Sequence, residues 1–328
     1  MERSELALMR EALSDLVLAH PGDLRAALGQ FGWAELMAED PAVAVDLLFR
    51  LQGEHLTAES LLDEVLLDAI PGATAVAVAF PVPPRTEPGS TYGHGQVRVQ
   101  GLLTRPLQPS DVVLIPCAAV DGLRLVEVAI GELTQTPADV LDSRRPWTRL
   151  SGIVNATAST PVGDVNSWPA LLASGRRALA AELLGIGDKM LTLAVEHTTT
   201  REQFGQKLSS FQVVRHKLAD VRVWGEVADL AAAAAWEDTA HDPTTGSGEN
   251  AMLAAALAKS AAVRYVATAR EHVQQLLGGM GFSWEHEFHW YLRRALVLEA
   301  LLGGATTLRT EIGASIVESG RLPDLAAL

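Results

Sequence analysis

Apolar residues change their spacing twice along this chain, and the order of the changes limits the fold to a few solutions. Leu6, Met9, Leu13, Leu16 and Val17, then Val43, Leu47, Leu48 and Leu51, recur at helical intervals over roughly the first 70 residues. Asp40-Pro41 supplies a helix cap followed by a first-turn proline, and Pro21-Gly22 punctuates the same stretch. Between 73 and 166 the pattern shortens to period two: Ala75–Phe80, Val97–Gln100, Val112–Ile115 and Leu123–Val128, separated by Gly, Pro and Asp turns. Those runs predict antiparallel strands.

From Trp168 the long period returns. Leu179, Leu183, Ile186, Met190 and Leu193 form one stripe, and Phe211, Val214, Leu218 and Val221 a second. An Ala-rich segment from Asn250 to Leu277 follows the polar stretch 241–248, which reads as a loop. Phe288, Leu292, Ala295, Leu298 and Leu302 give the fourth stripe. The expected class is α+β, mainly α: an N-terminal helical segment (1–72), a middle antiparallel β-domain (73–166) and a C-terminal four-helix bundle (167–328).

Composition excludes several functions. The formal charge of −14, from 40 acidic and 26 basic side chains, repels phosphate backbones and anionic membrane surfaces, so no nucleic acid or membrane partner is expected. Cys117 is the single cysteine, leaving no intramolecular disulfide or thiolate cluster, and its apolar neighbours predict a small buried side chain. The start of the chain lacks the cationic and apolar stretches of a signal peptide, and a cytoplasmic location is expected. Glu285, His286, Glu287 and His289 lack the spacing of a zinc-protease helix, so no metal is expected. Neither a nucleophile elbow nor a dinucleotide fingerprint after a strand is present. Gly185-Ile-Gly187 interrupts an apolar helix face, which predicts close packing of a second element.

The densest motif is Arg201-Glu-Gln-Phe-Gly-Gln-Lys207, followed by Phe211-Gln-Val-Val-Arg-His-Lys-Leu-Ala-Asp220, Gln275-Leu-Leu-Gly-Gly-Met-Gly281 and Gly281-Phe-Ser-Trp-Glu-His286. Together these segments closely resemble the C-terminal signature of acyl-CoA dehydrogenases. The resemblance implies FAD shared across a subunit interface, with Arg201, Phe204, Gln275, Gly278 and Gly279 gripping its adenine and pyrophosphate half. The residue types suit such a grip, since a guanidinium offers planar donors to a diphosphate and paired glycines let backbone approach it. Read from the residues alone, Arg201-Glu202 is equally a solvated charge pair and Gly278-Gly279 a helix C-cap.

The same resemblance implies removal of an α-proton from an acyl-CoA by a carboxylate, with hydride leaving the β-carbon for the flavin. One family position for that base falls on Leu302, ahead of Gly303, and another on Gly175, ahead of Arg176. Neither side chain accepts a proton. Two nearby carboxylates are low-ranking substitutes. Glu299 would lie about 300° from Leu302 on a continuous helix. Glu182 sits in an apolar stretch, where burial raises a carboxyl pKa unless Arg176 or Arg177 pairs with it.

Thr86-Glu-Pro-Gly89 resembles a flavin-contacting loop of the family but is displaced, following Pro81–Arg85 and preceding a short Tyr92–Gly95 turn. The N-terminal helical region is also shorter than the family pattern. These departures resemble the heteromeric acyl-CoA dehydrogenases of actinobacteria, in which a shortened subunit pairs with a complete one. That implies a heterotetramer acting on a bulky, steroid-derived acyl-CoA in lipid or steroid catabolism, with a partner chain supplying the base and an electron-transferring flavoprotein as possible acceptor. Two alternatives stand beside it: a non-catalytic assembly or acyl-CoA-binding subunit, and a self-sufficient homotetramer using Glu182.

Overall fold

The computed structural model describes residues 3–164, 166–237 and 247–320. Five helices come first: α1 (Arg3–Ala19), α2 (Leu24–Phe31), α3 (Trp33–Glu39), α4 (Pro41–His55) and α5 (Leu62–Asp68). The Asp40 side chain accepts the Val43 amide at 3.1 Å, and Pro41 occupies the first turn of α4, as the sequence predicts. Leu13, Val17, Leu48 and Leu51 are buried between α1, α4 and the rest of the molecule.

Eight strands follow: β1 (Ala77–Val78), β2 (Ser90–Gly93), β3 (Gln96–Leu103), β4 (Val112–Ala119), β5 (Gly122–Ala129), β6 (Thr134–Pro137), β7 (Thr148–Asn155) and β8 (Ser159–Val162). Their order is β6-β7-β3-β2-β4-β5-β8, with β1 also on β4. The sheet is mixed and not purely antiparallel, because β1 and β2 both run parallel to β4. They share one edge of β4, at Val113–Leu114 and Cys117–Ala119, as one interrupted strand. The interruption contains Pro81, Pro83 and Pro84, which lack the amide a ladder needs. His94 and Gly95 both have positive φ and close the β2–β3 hairpin in two residues. Cys117 is fully buried on β4, and burial pushes its thiol up to about 12.

The remainder is helical: α6 (Ser167–Thr200), a small hairpin of β9 (Glu202–Gln203) and β10 (Gln206–Lys207), α7 (Gln212–Glu237), α8 (Ser247–Leu277), α9 (Phe288–Ala300) and α10 (Ala305–Ser319). The loop expected at 241–248 falls, through residue 246, outside the described residues. Helix α6 is buried nearly all round from Leu171 to Gly187, where a single stripe was expected. Glycine makes that possible. A β-carbon on Gly53 of α4 would collide with the Glu182 carbonyl, and one on Gly185 with the Arg50 carbonyl, so α4 and α6 cross backbone to backbone. Gly187 likewise admits the Tyr265 ring of α8. Among the described residues, no helix is long and apolar enough to cross a membrane.

The fourth predicted stripe, Phe288 to Leu302, overruns its helix, and a further helix follows it. Helix α9 stops at Ala300, and the chain breaks through Leu302 and Gly303, both with positive φ, before α10 begins. Leu302 therefore stands in a kink, and the helical angle expected between it and Glu299 does not apply.

Candidate functional site

Two regions matter, one inside the bundle and one at its edge. The inner region is the α9–α10 break. Leu302 is fully buried, and a β-carbon added to Gly175 would lie 2.5 Å from its Cδ1. The two positions singled out for a base thus face each other from α6 and from the break, and the Leu302 side chain fills the space between them. Two buried cations hold the kink. Lys259 Nζ donates to the carbonyls of Leu301, Gly303 (2.7 Å) and Glu299 (3.4 Å), while Arg176 Nε donates to the Leu302 carbonyl at 3.1 Å. These are groups that a broken helix end leaves without partners. Burial, reinforced by Arg176, pulls the Lys259 pKa well below the ordinary amine value, and three carbonyls accept the protons it holds. Arg176 also pairs with Glu311 of α10 at 2.6 Å, and Glu311 accepts a bond from Thr86 at 3.1 Å. Thr86-Glu-Pro-Gly89 therefore reaches the break through its threonine.

The substitute carboxylates are both engaged. Glu182 is buried as expected, but its partners are Arg145 (2.7 Å) and Arg294 (3.3 Å) and not Arg176 or Arg177. Arg294 also bonds Asp142 and the Thr57 carbonyl (3.1 Å), which closes a buried set of two guanidiniums and two carboxylates. Burial and the neighbouring Arg294 push the Arg145 pKa down. A carboxylate bracketed by two guanidiniums is a structural tie between α6, α9 and the segment before β7, not a free proton acceptor. Glu299 pairs with Arg270 of α8 at 2.7 Å.

The outer region lies where α6 and α8 end. The Arg201 amide caps α6 through the His197 carbonyl (2.9 Å), and the Arg201 carbonyl accepts from Leu208, pinning the base of the β9–β10 hairpin. Phe204 and Gly205 form its two-residue turn, both with positive φ. A bulky residue in the left-handed region is strained, and Phe204 is also 91% exposed, its ring centroid 6.2 Å from that of Phe211 in a T-shaped pair. Arg201 and Gln275 are exposed, and among the described residues no carboxylate lies within ion-pair reach of Arg201. Gly278 has positive φ directly after α8, as a helix C-cap requires. Gly279 does not, and no atom lies within 4 Å of where its β-carbon would stand. Nothing inside this chain requires glycine there. Burial, followed by His286 and Arg201, lowers the His197 pKa at the end of α6.

Residues 168–317 match the family model for the acyl-CoA dehydrogenase C-terminal domain. The chain belongs to the acyl-CoA dehydrogenase family. Among its relatives, acyl-CoA dehydrogenase FadE34 of Mycobacterium tuberculosis is 33% identical over 239 residues, 67% of this chain but 31% of that protein. The chain thus spans about a third of FadE34. Acyl-CoA dehydrogenase IpdE2 of the same organism is 29% identical, with 89% of this chain and 91% of IpdE2 covered. Two solved structures share the fold from end to end. A variant of the Tcur3481-Tcur3483 steroid ACAD aligns with a TM-score of 0.80 and 22% identity, covering 97% of this chain and 99% of that one. The ChsE4-ChsE5 complex of Mycobacterium tuberculosis aligns with a TM-score of 0.72 and 20% identity, covering 97% and 98%.

Within this acyl-CoA dehydrogenase fold, sequence reasoning missed Lys259, Arg145 and the partners of Arg176. A lysine in the Ala-rich run Leu253–Ala262 was the available signal, since a cation there has to find buried acceptors. Arg145 carried none, because its partner lies 37 residues away on another element.

Proposed function

We propose that this chain is the base-free subunit of a heteromeric acyl-CoA dehydrogenase, lending its outer edge to FAD held jointly with a partner chain. The observation that carries the reading is the packing of Leu302 into the space over Gly175, with Glu182 and Glu299 both tied to arginines. The donor set at the edge fits the cofactor's adenylate half: the Arg201 guanidinium and Gln275 amide suit diphosphate oxygens, and the open backbone at Gly278-Gly279 suits close approach. Phe204, held outward in a strained turn, suits an apolar contact with the same half. When bound, FAD supplies the hydride acceptor for α,β-dehydrogenation of an acyl-CoA. Arg201, Gln275, Gly278 and Gly279 bind and orient that cofactor, and the partner chain supplies the carboxylate that takes the α-proton.

A bulky, steroid-type acyl group is the proposed substrate class. Support comes from the steroid ACAD among the structures that share this fold end to end, and from the name of the paired ChsE4-ChsE5 complex for the two-chain arrangement. An electron-transferring flavoprotein is the proposed acceptor.

The test is flavin content and acyl-CoA turnover of the homogeneous chain, alone and purified with a second acyl-CoA dehydrogenase subunit. Expected are a colourless, inactive chain alone and a yellow, active complex. A colourless complex would favour a purely assembling role, and a yellow chain that turns over alone would overturn the proposal.

A further inference from the structure

Helix α7 is apolar on two sides, and only one of them is covered. Val214, Val221, Ala228 and Ala235 are buried. Val223, Val227 and Leu230 follow one another at four- and three-residue spacing along the other side, where they are 59%, 42% and 72% exposed. With Val213, that makes four large apolar side chains in solvent on one helix, and among the described residues no other helix leaves as many. A helix that is apolar all round is ordinarily buried all round, so the bare side of α7 is a surface made for contact.

The charges along α7 decide what fits. Before Val223 the helix carries Arg215, Lys217 and Arg222 against one carboxylate, Asp220, which lies 2.9 Å from His272 of α8. After Val223 it carries Glu226 and Asp229 and, through residue 236, no cation. Arg222 and Glu226 pair with each other one turn apart and stay more than half exposed, while Asp229 holds Arg50 at 2.7 Å. Such a surface complements itself when reversed. In an antiparallel pair of α7 helices centred level with Gly225, Val223 of each copy meets Val227 of the other, and Arg222 comes within one turn of Glu226 and Asp229 of the other. A parallel pair would set Arg222 against Arg222 and align the two helix dipoles. An anionic membrane surface is repelled by the formal charge of −14. We infer that this side of α7 takes a second copy of this chain, packed antiparallel across a two-fold axis. The contact lies on the flank of the helix and not on the hairpin that follows Arg201, and it does not depend on the proposed flavin edge.

Sedimentation equilibrium of the purified full chain tests this. Expected is a dimer at micromolar concentration, its dissociation constant raised at least tenfold by Leu230→Lys while the helical circular dichroism stays unchanged. Arg222→Glu is expected to weaken the dimer as well, and adding Glu226→Arg to restore it, because exchanging the two signs keeps the copies complementary. Cys117 is buried, so introduced thiols report the direction of packing. Mixed Val223→Cys and Val227→Cys chains should join to each other under mild oxidation, whereas chains that join only to their own kind would overturn the antiparallel contact. A monomeric chain, or a dimer indifferent to both Leu230→Lys and Arg222→Glu, would overturn the inference outright. So would a Leu230→Lys chain that stays dimeric but no longer binds a second acyl-CoA dehydrogenase subunit, which would give the face to that partner. Arg201→Ala should leave the dimer intact, which keeps failure of the flavin reading distinct from failure of this one.

Discussion

The α9–α10 break and the outer edge of the bundle handle polar groups in opposite ways. At the break, every carbonyl from Leu301 to Gly303 is answered by a buried cation, and the space over Gly175 is filled by Leu302. At the edge, a guanidinium, an amide, a strained aromatic turn and an open Gly-Gly pair face outward with little from their own chain to meet them. A region whose groups satisfy one another is built for stability. A region whose groups are presented without partners is built for something that arrives from outside. In this acyl-CoA dehydrogenase-family chain, the proposed cofactor contacts belong to the second kind and the base positions to the first.

Perturbing the two regions should therefore move different observables. The largest stability loss is expected for Glu182→Ala, which leaves Arg145 and Arg294 buried and short of a carboxylate, at a cost of roughly 3–5 kcal/mol in chemical denaturation. If Glu182 were instead an isolated base, its removal would stabilise or be neutral. Lys259→Met should cost about 2–3 kcal/mol by the same measurement, because the carbonyls of Leu301 and Gly303 lose their donor inside the core. Gly175→Ala should cost roughly 1–3 kcal/mol through its clash with Leu302, and adding Leu302→Ala should recover part of that loss in a double-mutant cycle. Strict additivity would mean that the two positions do not meet.

At the edge the expectation reverses. Arg201→Ala and Phe204→Ala should change the melting temperature by no more than about 1–2 °C, as exposed substitutions do. Their effect should appear as flavin lost from the complex on gel filtration. The smallest expected effect is a proton. Burial, His286 and Arg201 hold the His197 pKa below its ordinary 6.5, so an anion placed on Arg201 should raise it and draw a fraction of a proton from solution on the acid side of 6.5. Calorimetry of dinucleotide binding in two buffers of different ionisation heat would register that uptake, and His197→Asn should remove it.

Much of the scaffold was legible in the sequence, because periodicity reports a buried face directly. The Leu179–Leu193 stripe falls on α6, the Phe211–Val221 stripe on α7 from its second member onward, and Asp40-Pro41 caps α4. Strand β7 went unnamed although Leu150 and Val154 alternate with exposed neighbours, because its polar residues dilute the apolar signal. The kink after Ala300 was hidden for a different reason. Leu301 and Leu302 continue the apolar pattern of α9, and the cations that turn the carbonyls aside come from α6 and α8. The partners of Glu182 were out of reach in the same way, since Arg294 lies 112 residues from it. At the edge, Arg201 and Gly278-Gly279 were legible only as a motif, because exposed residues leave no packing signature.

Whether this edge holds a shared flavin is decided most simply by the FAD content of the active heteromeric complex, with and without Arg201→Ala in this chain alone. Joint holding predicts that the complex stays assembled but loses the flavin contacted by this edge, and dehydrogenation falls with it. A complex that keeps its full flavin and its activity after Arg201→Ala would contradict it.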